Sequence, residues 1–334
     1  MDVVRVWRDV PQSFKGAVLA IGNFDGVHRG HQAVLGEARR IAETEGLRSG
    51  AVLFEPHPRE FFEPGKPFFR LTPLPLKLEL IETLRLDQVF VIDFEPGLAG
   101  LSSEAFATEV VGKGLGASHV VVGHDFTYGK GRTGSTAELS ALGRVLGFGV
   151  DVVKPVGAGE GIFSSSRIRE ELRAGEVREA AQQLGFWWRV RGRVEKGAGR
   201  GKGLGFPTVN VPLAPGQDVR HGIYAMRVHH EGGRHDAAGY VGACPTFGEG
   251  APVLEAYLFD FAGDLYGAEV EVEFIAFLRP DQTFASAEQL AAQMQKDCDA
   301  ARTVLRRIDQ DDPMRGFPLG RALTDRAGER TGLS

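Results

Sequence analysis

Residues Gly22–Gln32 read Gly-Asn-Phe-Asp-Gly-Val-His-Arg-Gly-His-Gln, and the fold of the first half of the chain follows from what flanks them. Before them lies an uninterrupted apolar run, Ala17–Ile21, with the texture of a buried strand. After them Val34, Ala38, Ile41 and Ala42 fall on one face of a helix. A loop in that place delivers side chains and amides to the carboxyl edge of a sheet. Its glycines let backbone approach a ligand closely, and the helix start offers unpaired N–H groups and positive dipole to phosphate. The specific element is His28-x-Gly30-His31: two imidazoles three apart can address one phosphate, while Gly30 keeps the turn clear of side chain. Other readings of the same residues stay open. Asp25-Gly26 can be a plain hairpin turn, the histidines can cap the helix, and a zinc pair is conceivable although no neighbouring His, Cys or Glu completes a usual ligand set.

Working outward, Ala51–Phe54, Val89–Phe94, His119–Gly123 and Val150–Val153 are further apolar runs, separated by helical patterns near 31–45, 76–86, 103–112 and 136–147. Continuous apolar strands alternating with helices predict a parallel sheet covered on both faces, an α/β fold. Two helical patterns, Ser165–Ala174 and Val177–Leu184, follow. Beyond Leu184 the texture changes to alternation with frequent turn residues, in Phe186–Val194, Ile223–His229, Val253–Phe259 and Val270–Phe277, which predicts a small antiparallel barrel. A last helix, Ala287–Ile308, carries Leu290, Met294, Cys298, Ala301 and Leu305 at spacings of three and four and should pack on that barrel. The polar stretch from Asp309 onward has no pattern and is expected to be loose. The expected division is 1–184, 185–310 and a flexible tail over 311–334, consistent with 334 residues being more than one core usually holds.

Composition is that of a globular protein, 43% hydrophobic and 25% charged. A net charge of -5, from 39 basic and 44 acidic residues, gives no global reason to expect nucleic acid. The two cysteines, Cys244 and Cys298, support neither a disulfide framework nor a Cys-based zinc site. The N-terminus has no uninterrupted apolar segment, and nowhere do ~18 apolar residues run together. A cytoplasmic protein with no nucleic-acid or membrane partner is expected; oligomeric state is not set by the sequence.

Several later stretches carry chemistry. Pro56-His57-Pro58 predicts a stiff extended loop with a projecting imidazole. Ser164–Arg169 puts three hydroxyls and two guanidinium groups at a helix start, either a clamp for a triphosphate or an ordinary Ser cap with solvated arginines. Asp125 could fix a ligand hydroxyl or cap a turn. Gly112-x-Gly114-x-x-Ala117 nominally matches the dinucleotide fingerprint but precedes a strand, so it reads as a helix C-terminus. Gly197–Asn210 combines five glycines, Arg200 and Lys202 with Pro207-Thr208-Val209-Asn210; it satisfies neither the Walker spacing nor G-x-G-x-x-G, and a flexible surface turn is its plain reading.

Taken in order, these stretches resemble the bacterial bifunctional riboflavin kinase/FMN adenylyltransferases (FAD synthetases). Gly22–Gln32 is similar to the first motif of their H-x-G-H nucleotidyltransferase module, Phe54–Pro58 to F-x-P-H-P, and Gly123–Gly129 to G-x-D-F-x-F-G with Tyr128 for the second Phe. Phe163–Arg169 is similar to S-S-T-x-I-R with Ser166 in the Thr place. In the second half, Gly197–Asn210 resembles the kinase module's loop into P-T-A-N, with Val209 for Ala. Glu255–Phe261 and Asp264–Gly267 resemble E-x-x-x-x-D-F and D-L-Y-G, and Leu278-Arg279-Pro280 matches an arginine near the barrel end. Tyr240 departs from the Asn of N-I-G-x-x-P-T. The resemblance implies a Rossmann-like domain followed by a riboflavin kinase-like barrel with a C-terminal helix, making FMN and then FAD from riboflavin with ATP and Mg²⁺. It implies that His28 and His31 act in adenylyl transfer, with Gly22, Asn23, Phe24, Asp25, Gly30, Ser165, Ser166 and Arg169 on ATP or its phosphates. Lys202, Gly203 and Gly205 would meet the kinase ATP, Thr208 and Asn210 the metal, and Glu255 would take the proton from the flavin's terminal ribityl hydroxyl. Pro56, His57, Pro58, Asp125 and Arg279 would line flavin or nucleotide. An H-x-G-H transferase acting on another phosphate ester, and a non-catalytic flavin carrier, are the competing expectations; the intact histidines, P-T-x-N and Glu255 count against them.

Overall fold

The computed structural model describes residues 1–158, 161–197, 205–243 and 252–331. These form two compact units, one from Met1–Phe68 with Thr72–Ser164, the other from Phe69–Leu71 with the chain from Ser165 onward. The helices at Ser165–Ala174 and Val177–Leu184 therefore group with the second unit.

The first unit is built on six parallel strands, β1 (Asp2–Val4), β2 (Val18–Ile21), β3 (Ser49–Glu55), β4 (Gln88–Asp93), β5 (His119–Gly123) and β6 (Gly149–Val153). β2 is buried along its whole length, as a strand covered on both faces must be. Helices α1 (Arg29–Glu45), α2 (Pro58–Phe62), α3 (Leu74–Thr83) and α4 (Thr136–Leu146) connect them, and the expected 103–112 helix is mostly a π-helical segment, Phe106–Gly114. Leu19, Ile21, Val52, Phe90, Ile92, Val120 and Val122 join Phe106, Val110 and Leu139 in one core. Strand order is β1-β4-β3-β2-β5-β6. The chain thus proceeds from β2 through β3 to β4, then returns to the other side of β2 for β5. The connections leaving β2 and β5 part from each other there, and the crevice at the carboxyl ends of such strands is where open α/β sheets bind ligands.

After a short hairpin of β7 (Gly157–Ala158) and β8 (Gly161–Ile162), the second unit begins with α5 (Ser165–Ala174) and α6 (Val177–Leu184). Its antiparallel barrel runs β10 (Val209–Pro212), β13 (Pro252–Leu258), β12 (Gly233–Ala243), β11 (Gly222–His230), β14 (Glu269–Arg279), β9 (Arg189–Arg193). A backbone bridge from the Glu195 N–H to the Asn210 carbonyl, 2.9 Å, closes it between β9 and β10. Helix α7 (Ala287–Gln310) lays Cys298, Ala301, Leu305 and Ile308 against Ala225, Phe259, Ile275 and Ala276.

The expectation of a flexible tail over 311–334 is corrected for 313–331. Pro313–Gly316 forms a 3-10 turn and Pro318–Thr331 a helix, α8. Met314 and Leu319 are buried, the Trp187 indole N–H donates to Asp312, and a Cβ at Gly320 would collide with the Met314 and Gly185 carbonyls. Met314, Leu319 and the partly buried Phe317, with one close approach at Gly320, hold a segment whose overall polarity hides them.

An ion-pair cluster ties β9 to β14: Arg189 reaches Glu271 and Glu273, each at 2.7 Å. Burial alone would raise the Glu273 carboxyl, but Arg189, His229 and Arg227 outweigh it and hold it down, from 4.5 to about 2. A depressed carboxyl stabilises the fold above its unfolded value and loses that contribution as pH falls. Denaturation followed by tryptophan fluorescence should therefore show the second unit losing on the order of 3 kcal/mol between about pH 4.5 and 2. In Glu273→Gln that acid limb should shrink.

Candidate active sites

The Gly22–His28 loop leaves β2 at the switch point in a conformation few sequences hold. Phe24 and Val27 lie in the left-handed region, φ 48° and 44°, rare for such side chains. Both are buried. Asp25 is buried as well, and its Oδ1 accepts the Thr72 N–H at 3.0 Å and the Thr72 hydroxyl at 3.3 Å, while the Gly26 N–H donates to that same hydroxyl at 2.8 Å. The Lys77 ammonium on α3 donates to the Asn23 carbonyl, 2.8 Å. Asp25 is thus engaged in bracing the loop.

His28 is the N-cap of α1: its Nδ1 accepts the His31 N–H at 3.3 Å. Capping, one of the readings left open by the sequence, is present, and it orients the ring. The two imidazoles stack with centroids 3.6 Å apart and 20° between planes, and Phe24 meets His31 edge-on. A Cβ at Gly30 would lie 3.0 Å from the His28 ring, so glycine gives that ring its place over the helix start. Asn23 Oδ1 is buried with no hydrogen-bond partner among the described residues. An orphaned acceptor costs about 1–3 kcal/mol, and a ligand carrying N–H or O–H donors would satisfy it. Two aligned imidazoles and the helix-start amides can meet the oxygens of a phosphate, while the Asn23 acceptor calls for a donor elsewhere on the same ligand.

Other candidates in this unit are more dispersed. Pro56 follows a cis peptide bond, Pro58 opens α2, and His57 caps it, its Nδ1 accepting the Arg59 N–H at 3.1 Å with its ring 4.6 Å from Phe68. Asp125 stands exposed after β5, on the other side of the switch point. Tyr128 stacks on Phe126 and is buried; burial and the nearby Glu138 push its hydroxyl up to about 12.

In the second unit, Ser165 and Ser166 open α5. Arg169 is buried and donates to the Phe69 carbonyl at 2.6 Å. In the barrel, Asn210, Glu255 and Tyr240 are direct register partners across β10, β13 and β12, so their side chains share one face. The departure at Tyr240 therefore falls beside Glu255. Gly205, at φ 87°, and Thr208 stand at the exit of the glycine-rich loop, and Phe206 packs edge-on against Tyr257, 5.3 Å away. Lys202, Gly203 and the Cys244–Thr246 stretch lie outside the described residues. Arg279 forms a bidentate pair with Asp297 of α7 at 2.8 and 2.6 Å, which locks β14 to the helix.

A hard cation held partly by nucleotide phosphates needs only a few protein oxygens. Thr208 and Asn210 offer a hydroxyl and an amide oxygen, and the backbone at Gly197 lies so close that a Cβ there would collide with the Asn210 side chain. That cradle and donor set fit Mg²⁺; among the described residues no group of three or more His, Cys, Asp or Glu does so.

Thr72 and Lys77 were not among the residues read as functional. Thr72 has no local pattern. Lys77 had a signal, a lone cation on the apolar face of Leu76–Leu80, now seen to be 2% exposed.

Comparison with known proteins follows the two units. The FAD synthetase family matches residues 10–167 and the riboflavin kinase family residues 184–305. The chain is 37% identical over 305 residues to a bifunctional riboflavin kinase/FMN adenylyltransferase of Pseudomonas fluorescens, covering 91% of this chain and 98% of that one. It is 34% identical to the enzyme of the same description from Listeria monocytogenes, covering 91% and 95%. A crystal structure titled as a macrolide-efflux protein from Streptococcus pneumoniae superposes with a TM-score of 0.81 at 28% identity, covering 90% of this chain and 98% of that one.

Proposed function

Because the chain belongs to the bifunctional riboflavin kinase/FMN adenylyltransferases, we propose that its two units divide the synthesis of FAD from riboflavin as their side chains suggest. What carries this reading is that each unit holds its own phosphate-directed constellation: the stacked His28–His31 pair at the switch point, and the Asn210–Glu255 row on the barrel.

In the barrel, Glu255 takes the proton from the terminal ribityl hydroxyl as that oxygen attacks the γ-phosphorus of ATP; the bond to the β,γ-bridging oxygen breaks and ADP leaves. Thr208 and Asn210 would hold Mg²⁺, which when bound neutralises phosphate charge. Lys202, Gly203 and Gly205 would meet the triphosphate, as the family resemblance implies, and Arg279, fixed by Asp297, would shape the flavin side. Such transfer rests mainly on positioning and charge neutralisation.

In the α/β unit, a phosphate oxygen of FMN attacks the α-phosphorus of a second ATP and pyrophosphate leaves. His28 and His31 donate to the α-phosphoryl oxygens, where charge develops in the transition state. Gly22, Asn23, Phe24 and Gly30 shape the nucleotide loop and Asp25 braces it. In the second unit, Ser165 and Ser166 are proposed phosphate contacts at the start of α5, whose Arg169 donates to the Phe69 carbonyl. Pro56, His57, Pro58 and Asp125 line the flavin or nucleotide. The enzyme works in the cytoplasm with small molecules alone; no described helix is long and apolar enough to cross a membrane.

Incubation of the pure protein with riboflavin, ATP and Mg²⁺, with flavins separated by chromatography, should show FMN and then FAD. Riboflavin persisting alone would sink the proposal.

A further inference from the structure

We propose that Thr72 and Lys77 are positioning residues for adenylyl transfer, holding Asn23–Val27 in the one conformation that presents His28 and the α1 amides to the α-phosphate. The inference rests on the reading that the first unit performs this transfer. Two left-handed non-glycine residues, Phe24 and Val27, sit in a four-residue span that would relax into ordinary backbone if released. The contacts that oppose relaxation come from outside the motif. Thr72 is fully buried; its hydroxyl accepts the Gly26 N–H and donates to Asp25, and its own N–H reaches the same carboxylate. Lys77, 2% exposed, carries a charge that is costly to bury and places it on the Asn23 carbonyl. One brace acts before Phe24 and the other between Phe24 and Val27, so each strained residue is pinned beside its turn. His28 follows Val27 directly, and its ring position inherits whatever the loop does.

Thr72→Val keeps the shape and removes the hydroxyl; Lys77→Met keeps most of the stem and removes the ammonium. Each is expected to lower kcat for adenylylation of supplied FMN by about 10- to 100-fold, the scale on which small misplacement acts. KM for FMN should change little, because the loss falls on the transition state. Thr72→Ser should recover kcat to within about threefold of the parent, and riboflavin phosphorylation by the same preparations should be unchanged. A purely structural role would lower the melting temperature while leaving adenylylation intact well below it. Thr72→Val and Lys77→Met with parental kcat would overturn the inference while the parent still makes FAD. If the parent itself makes no FAD from FMN and ATP, it is the assignment of the unit that fails.

Discussion

Replacing His28 and His31 together by alanine is expected to stop flavin synthesis at FMN. Removing a single preorganised donor to a developing oxyanion typically costs ~10²–10³ in kcat. The two imidazoles stack at 3.6 Å and His28 Nδ1 also holds the His31 N–H, so they act as one unit and their losses will not simply multiply. A fall of about 10³-fold or more in adenylylation is expected for the double variant. His28→Ala also deletes the cap of α1, worth about 1 kcal/mol, too little to unfold the unit. His28→Asn separates the two effects, because asparagine caps a helix well but cannot replace the imidazole. It should lose adenylylation while keeping the parental melting temperature. Chromatography of riboflavin reactions would read both at once: FMN accumulates at the parental rate and FAD is missing. FAD formed by the double variant at the parental rate would show that the histidines are not the catalytic pair.

Glu255→Gln should do the reverse. The amide keeps the size of the side chain between Asn210 and Tyr240 but cannot take a proton, and loss of a positioned general base typically costs ~10²–10⁴. FMN formation from riboflavin should fall by that factor, while adenylylation of supplied FMN stays at the parental rate. Rapid FMN production by Glu255→Gln would move the base elsewhere on the barrel. Tyr240 is then the informative neighbour, since its ring occupies the register position next to Glu255.

How far the sequence discloses this arrangement depends on whether a constraint is local. Val89–Ile92 is apolar without interruption because both faces of β4 are covered, and such a strand announces itself. β12 does not: Gly233, Arg234, His235, Asp236 and Gly239 break its alternation, and its extended form is imposed by ladders to β11 and β13 on either side. α8 stayed hidden because, among the described residues, only Leu319 on the helix, with Met314 and Phe317 just before it, anchors an otherwise polar stretch. The same distinction governs the sites. His28, Gly30 and His31 are neighbours in the chain and were legible as a motif, whereas the contacts that hold the loop come from Thr72 and Lys77, more than forty positions away. Asp25 belongs to the ATP-loop motif in the sequence, but its partner Thr72 could be found only by folding.

The barrel's closing seam has a consequence for amide exchange. Its other seams are ladders of four or more register pairs, but between β9 and β10 the described residues contribute a single bridge, Glu195 to Asn210. Among the described barrel residues protection there should be the weakest, with deuterium entering the Glu195 amide well before those of β11 and β12. Because Asn210 is also a proposed metal-nucleotide residue, a bound nucleotide would fasten the seam it touches. Slowed deuteration at Glu195 on adding ATP analogue would make one backbone amide a reporter of kinase-site occupancy, readable without turnover.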